Sequence, residues 1–555
     1  MATSAMSAIL LLLTILHLRS EILSVTALPD QNLDYLKFVY NASDLSFSGD
    51  EYDYIVIGGG TAGCPLAATL SQKYSVLVLE RGGVAHVSPN VLHKEGFLIN
   101  LLQADDRESA TQAFTSEDGV LNARGRVLGG SSMINAGFYS RAEEDFYLKS
   151  GIEWDMFVVN EAYQWIEQAI VFPPNITVWQ SAVKQALLEA DIGPDNGFSL
   201  DHVKGTKVGG SVFDGAGRRH GAVELLNRAE PNNLLVAVHA TVERIIFSSS
   251  NSSGLSAVGV IYSDAIGKSH EVMLRGNGEV ILSAGAIGSP QLLLLSGIGP
   301  RQYLSSLQIP VILHQPNVGQ FLYDNPRNGI NIIPPFPLEQ SLIQVVGITG
   351  NGSYIEAASN VVPFFSPPHF SLFPDPSLPI YVNVATLMEK VSGPRSIGSL
   401  TLGSSTDVRV SPIVRFNYLT DPIDLARCVT GMQIIGKMMA TQSMDQFKSQ
   451  GLLGRRSFRF LGPTLPENLS DTASIETFCQ RTVTTIWHYH GGCLVGKVVD
   501  GDFRVIGINA LRIVDGSTLT VSPGTNPQAT LMMLGRYVGL KIIEEAIIHD
   551  GEIPW

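Results

Sequence analysis

The chain has 555 residues, 45% of them hydrophobic and only 16% charged, below the ~25% usual for soluble domains. That balance excludes a disordered or low-complexity protein, and the length allows a core that needs no disulfides to hold it. The net charge is −14 with no basic block, so nucleic acid and anionic membranes are poor partners.

Residues 1–27 read as a signal peptide. The apolar run between Met6 and Leu18 has the length of a signal h-region and is too short to span a bilayer. Val25-Thr26-Ala27 places small residues for cleavage after Ala27, although no Lys or Arg precedes the run. Five sequons, at Asn41, Asn175, Asn251, Asn351 and Asn468, fit a secretory route ending outside the cell, in the cell wall or in a vacuole. Of the four cysteines, Cys64, Cys428, Cys479 and Cys493, at least one pair could bridge in an oxidising compartment. No Cys/His spacing resembles a zinc site. His488 and His490 would share one face of an extended segment with no third ligand in view, so no metal is expected.

After a polar lead-in over 28–50, residues 52–57 (YDYIVI) read as a buried strand. Gly58, Gly60 and Gly63 follow as G-x-G-x-x-G with Thr61 and Ala62 between them, then a helical stretch and a second strand, SVLVL, ending at Glu80. Gly58 permits the tight turn, Gly60 lets backbone approach a pyrophosphate, and Gly63 allows close helix–strand packing. The helix N-terminus offers unpaired N–H groups to the anion. Glu80 stands 22 residues after Gly58, near the ~20 expected of the acid that accepts from ribose hydroxyls. The pattern predicts a dinucleotide fold without separating NAD from FAD.

Three later segments decide between them. Gly125-Arg126-Val127-Leu128-Gly129-Gly130-Ser131-Ser132-Met133-Ile134-Asn135-Ala136 is a second Gly-rich loop running into an apolar helix start. Gly285-Ala286-Ile287-Gly288-Ser289-Pro290 leads into a leucine-rich stretch. Leu511 to Ser517 is a strand stopping at Asp515-Gly516, and Asn526-Pro527-Gln528 precedes a helix. These segments resemble the signature motifs of the glucose–methanol–choline (GMC) flavin oxidoreductases over residues 50 to 545. The phrase Trp487-His488-Tyr489-His490-Gly491-Gly492-Cys493 resembles the plant mandelonitrile lyase-like and HOTHEAD-like groups.

The resemblance implies an α/β fold: a Rossmann-type FAD domain built from discontiguous segments (51–140, 206–330 and 480–555) and a substrate domain with an antiparallel sheet (141–205 and 331–479). It implies non-covalently held FAD and a Cys428–Cys479 disulfide; a monomer is expected besides. Carried over residue by residue, it puts Arg81, Arg126, Gly130, Ser131, Asn135, Ala136, Val242, Trp487, Asp515, Gly516, Pro527 and Gln528 beside the cofactor. His488 and Asn526 would face each other at the flavin, and Ile486, Trp487 and Glu356 would meet the substrate. Phe364, Phe365, Phe370 and Phe373 are further candidates for an apolar pocket, though such aromatics more often form plain core.

His488 suits general-base work, because an unperturbed imidazole titrates near ~6.5. Asn526 can hold a hydroxyl without taking its proton. The resemblance implies that this His/Asn pairing is the arrangement of several alcohol-oxidising family members, including HOTHEAD-like ones, so alcohol oxidation by hydride transfer to FAD is the favoured expectation. Cyanohydrin cleavage, with mandelonitrile as substrate and a flavin that does no redox chemistry, is the alternative, and a flavin-binding storage glycoprotein is the third. The lyases resembled here carry His in place of Asn526, Tyr in place of Ile486, and a Cys in the segment that reads Tyr354-Ile355-Glu356-Ala357. Each lost hydrogen bond to a polar substrate costs ~1–3 kcal/mol.

Overall fold

A computed structural model describes residues 33–45, 51–250, 254–364, 380–451 and 454–549. The expected signal peptide, Asn251, Phe365, Phe370 and Phe373 lie outside the described residues. Among the described residues no helix is long and apolar enough to cross a membrane.

Strand β1 (Glu51–Ile57) has its inner residues Tyr54 to Ile57 buried, as a strand covered on both faces requires. It stops at Gly58, whose φ of +100° and contact with Ser283 leave no room for a side chain; a Cβ there would lie 2.5 Å from the Ser283 carbonyl oxygen. Helix α1 (Gly63–Leu70) follows, then β2 (Val76–Glu80), parallel to β1 with Tyr54 opposite Val76. β3 (Leu234–Val238) lies parallel on the far side of β2. β4 (Thr241–Ser250), β5 (Gly254–Ser263) and β6 (Ser269–Leu282) form an antiparallel meander whose last strand runs parallel to β1. Helix α2 (Gly285–Leu295) leaves this sheet at Gly285.

A second, largely antiparallel sheet is centred on β7 (Pro326–Ile333), β8 (Ser353–Phe364) and β9 (Ile380–Val391), with β9 in the middle. The strand Gly205–Val208 belongs to this sheet too. The expected boundaries at 206 and 330 therefore fall inside strands of the second sheet. α3 (Pro422–Met439) and α4 (Thr472–Thr482) close its back around a separate core that includes Ile330, Leu387, Met432 and Phe478. The Cys428–Cys479 disulfide joins α3 to α4 inside this core, while Cys64 and Cys493 are buried free thiols.

The chain then returns to the first sheet. β10 (Leu511–Ile513) pairs with β6, with Leu511 opposite Val280. Helix α5 (Gln528–His549) crosses α1 so closely that a Cβ on Gly535 would come 2.1 Å from the Ala62 carbonyl oxygen. One expectation changes. The Gly125–Ala136 loop does not open into a helix but makes a single 3₁₀ turn, Gly130–Met133. Gly129 and Gly130 both take positive φ, +96° and +58°, which a right-handed helix cannot continue.

Candidate active site

A cavity of about 1090 Å³ lies between the two sheets. Its wall on the first-sheet side includes Gly58, Gly60, Thr61, Ala62, Glu80, Arg81, Arg126, Gly130, Ser131, Asn135, Ala136 and Val242. The returning C-terminal segment adds Ile486, Trp487, His488, Asp515, Gly516, Asn526, Pro527 and Gln528. Gly63 lies outside the wall and acts in packing, since a Cβ there would lie 2.0 Å from the Gly58 carbonyl oxygen.

Several features of this wall fit an elongated dinucleotide. Gly60 and Gly130 bring two backbones together, and a Cβ on Gly130 would sit 2.7 Å from the Gly60 Cα. Glu80 is buried and accepts from the N–H groups of Gly59 (3.0 Å) and Gly82 (2.7 Å), which fixes the acid at the end of β2 with lone pairs to spare. Burial pushes its carboxyl up, and the backbone N–H groups and Arg81 pull it back. Asp515 is held by Gly285 N–H (2.9 Å), the Ser289 hydroxyl (2.5 Å) and Ser517 N–H (2.8 Å). Asn135 donates to Gln528 (2.9 Å), and Gln528 donates to the Phe138 carbonyl (2.6 Å), so the start of α5 is tied to the Gly-rich loop. Arg124, absent from the sequence-based set, lines the cavity with one guanidinium nitrogen buried and unpartnered.

At the far end His488 and Asn526 meet. Asn526 Nδ2 lies 3.5 Å from His488 Nε2, and Lys390 Nζ lies 3.4 Å from Asn526 Oδ1. An ammonium can only donate, so Lys390 turns the amide to present its NH₂ to His488. Burial, followed by the charges of Lys390, His490 and Arg327, holds the His488 imidazole well below its ordinary pKa. His488 is therefore neutral, and its Nδ1 is buried without a partner.

Glu356, expected at the substrate, stands one layer back. It is fully buried, does not line the cavity, and pairs with Lys390 at 3.1 Å. β8 and β9 set this geometry: Glu356 lies opposite Met388, two residues from Lys390 on the same face. Arg327 on β7 lies opposite Lys390, reaches the cavity, donates to Thr484 Oγ1 (3.1 Å) and stacks its guanidinium 5.5 Å from the Trp487 ring. Neither Lys390 nor Arg327 was nominated from the sequence. Period-two alternation along β7 and β9 would have put both on one face, but not next to Asn526.

Two family models match the chain, both described as GMC oxidoreductase, over residues 52–327 and 394–535. "(R)-mandelonitrile lyase-like" of Arabidopsis thaliana is 56% identical over 97% of each chain. "(R)-mandelonitrile lyase 2" of Prunus dulcis is 54% identical, covering 100% of this chain and 98% of its own. "Sinalpyl alcohol oxidase Nec3" of Nesocodon mauritianus is also 54% identical, over 98% of each. A solved formate oxidase superposes with a TM-score of 0.73 at 18% identity, covering 90% of this chain and 99% of its own, a likeness of fold alone. With the Gly-rich cradle, the discontiguous first sheet and matches over most of its length, this chain belongs to the GMC oxidoreductase family, whose cofactor is FAD.

Proposed function

We propose that the protein oxidises a primary or aryl alcohol to an aldehyde, with His488 as the base. The observation that carries this reading is the His488–Asn526 pair. A neutral imidazole faces an amide that can donate a hydrogen bond but cannot accept a proton. A substrate hydroxyl set between them would accept from Asn526 Nδ2 and give its proton to His488 Nε2. Bound FAD supplies the two-electron acceptor for the hydride leaving the carbinol carbon. Ile486 and Trp487 would flank that carbon, and Gly58, Gly60, Thr61, Ala62, Glu80, Asp515 and Gln528 would hold the cofactor.

Cyanohydrin cleavage is the second reading, and one observation favours it. Arg327 and Lys390 place two cations beside the pair, and an anionic leaving group would be stabilised by them. Glu356 offsets one of the two charges, which weakens that reading. The protein is proposed to work in the secretory pathway, supported by the buried disulfide and by the exposure of Asn41, Asn175, Asn351 and Asn468.

The test is anaerobic mixing of the FAD-loaded protein with aryl alcohols, long-chain alcohols and, separately, mandelonitrile. Bleaching of the oxidised flavin with aldehyde formation is the expected result. Catalytic release of benzaldehyde from mandelonitrile with the flavin still oxidised would replace this reading with the lyase one.

A further inference from the structure

The segment that carries His488 runs between two sheets, and its pairing with the neighbouring chain is interrupted in a bulge-like way. It pairs antiparallel with residues 322–327 at both ends, Thr484 and Thr485 opposite Arg327 and Pro326, and His490 and Gly491 opposite Tyr323 and Leu322. Between these anchors the chain takes five steps from Thr485 to His490, but only three from Tyr323 to Pro326. Two residues are therefore extra, and they push Trp487 and His488 out toward the cavity. A bulge next to an active site re-aims a side chain in this way. The distortion is visible at Trp487, whose φ of +60° is rare for a bulky residue.

One of the backbone N–H groups in this stretch reaches a carboxyl group directly, and the other reaches it through a hydroxyl. Asp324 is buried and accepts from His488 N–H at 2.8 Å on one oxygen. Its other oxygen accepts from the hydroxyls of Thr485 (2.6 Å) and Tyr418 (2.6 Å). Thr485 Oγ1 in turn accepts from Trp487 N–H at 2.7 Å. Each of the two displaced residues is thus held, directly or through one hydroxyl, by Asp324.

We infer that Asp324 is a positioning residue: it takes the place of the missing strand partner, fixes the left-handed turn at Trp487, and so aims the imidazole of His488 at Asn526. The inference rests on the proposed role of His488 as base, but the loop geometry stands apart from it. Strained backbone persists only where its surroundings over-determine it, and Asp324 is the group that does so here.

The test compares three variants of the FAD-loaded enzyme, Asp324→Ala, Asp324→Asn and Thr485→Val. In crystal structures of Asp324→Ala, Trp487 is expected to leave the left-handed region and the His488 ring to move, with flavin per protein unchanged. On whichever alcohol or cyanohydrin the wild type turns over, kcat should fall at least about 30-fold and KM should change by no more than about threefold, as for loss of several buried hydrogen bonds. Asp324→Asn should recover most of that loss, because its oxygen can accept from His488 N–H while its NH₂ faces Thr485. An unmoved Trp487 with wild-type kcat overturns the inference, as does a loss of flavin in step with activity. If Asp324→Ala does not fold, Thr485→Val decides: a roughly tenfold drop in kcat alone supports the inference, and no change refutes it. If the wild type turns over neither substrate class, the base reading falls while the crystal comparison still judges the loop.

Discussion

Lys390 Nζ lies 3.1 Å from Glu356 Oε1, and both side chains are wholly excluded from solvent. Such a pair adds little net stability, because desolvation offsets the attraction, but either partner alone is costly. Here the pair also turns the Asn526 amide, which links a charge inside the second sheet to the reacting end of the cavity.

Breaking one side of that pair should destabilise far more than removing both. Lys390→Met or Glu356→Gln is expected to cost about 3–5 kcal/mol in denaturant unfolding. The double variant should recover most of that stability. Its turnover should stay low, because nothing then fixes which way the Asn526 amide points. Additive stability losses in the double-mutant cycle would show that the two residues do not act as a pair.

The pH dependence follows from the depressed pKa of His488. Its imidazole stays neutral in the folded protein at pH values where an unfolded chain, titrating near ~6.5, takes up a proton. The neutral form's contribution to stability is therefore complete above ~6.5 and is lost progressively as pH falls below it. By the same shift kcat/KM should stay level through pH 6.5 and drop only at clearly lower pH. A steady-state profile with its acid limb centred at or above ~6.5 would contradict this assignment.

Gly130→Ala should yield a folded protein without flavin colour. Its φ is +58°, and the added Cβ would meet the Gly60 Cα at 2.7 Å, a backbone atom that cannot swing aside as a side chain can. Overpacking of this kind costs about 1–3 kcal/mol and would push apart the two loops that cradle the cofactor. The ratio of flavin to protein absorbance after purification is the measurement. A fully yellow variant would show that the loops can part at no cost.

The disulfide closes a loop with a sequence separation of 51 residues. Cys428→Ser together with Cys479→Ser should lower stability by about 4 kcal/mol. Asn328 donates to the Cys479 carbonyl and to Thr482 Oγ1, both at 2.8 Å, and it neighbours Arg327. Activity is therefore expected to fall at temperatures below the main unfolding transition. Thermal unfolding followed in parallel with residual activity would test both parts, and coincident curves would remove the second.

The dinucleotide half was legible because its signals are local. β1, Gly58 to Gly63, α1, β2 and Glu80 lie within thirty residues, and each imposes its own backbone constraint. The catalytic end was only partly legible. His488 and Asn526 stood out through their motif, whereas Asp324, Arg327 and Lys390 gain their meaning from pairings that join residues more than sixty positions apart. Glu356 was placed in the right neighbourhood but one layer too far forward, because β-strand alternation gives a face and not a depth. The Gly-rich loop was read as a helix start because its apolar residues suit one, while the paired positive φ values of its glycines are not visible in composition.

β10 completes the cofactor-binding sheet with residues 511–513, only after more than nine-tenths of the chain has been made. At roughly 5–20 residues per second, a ribosome would take on the order of half a minute or more to pass from β1 to β10. For the part of that interval after residue 282, β6 has an open edge where β10 will pair, and the half-built cradle still lacks Asp515 and Asn526. The nascent chain must therefore be shielded on that edge before it can hold a flavin, and C-terminal truncations should be found aggregated and colourless rather than merely slow.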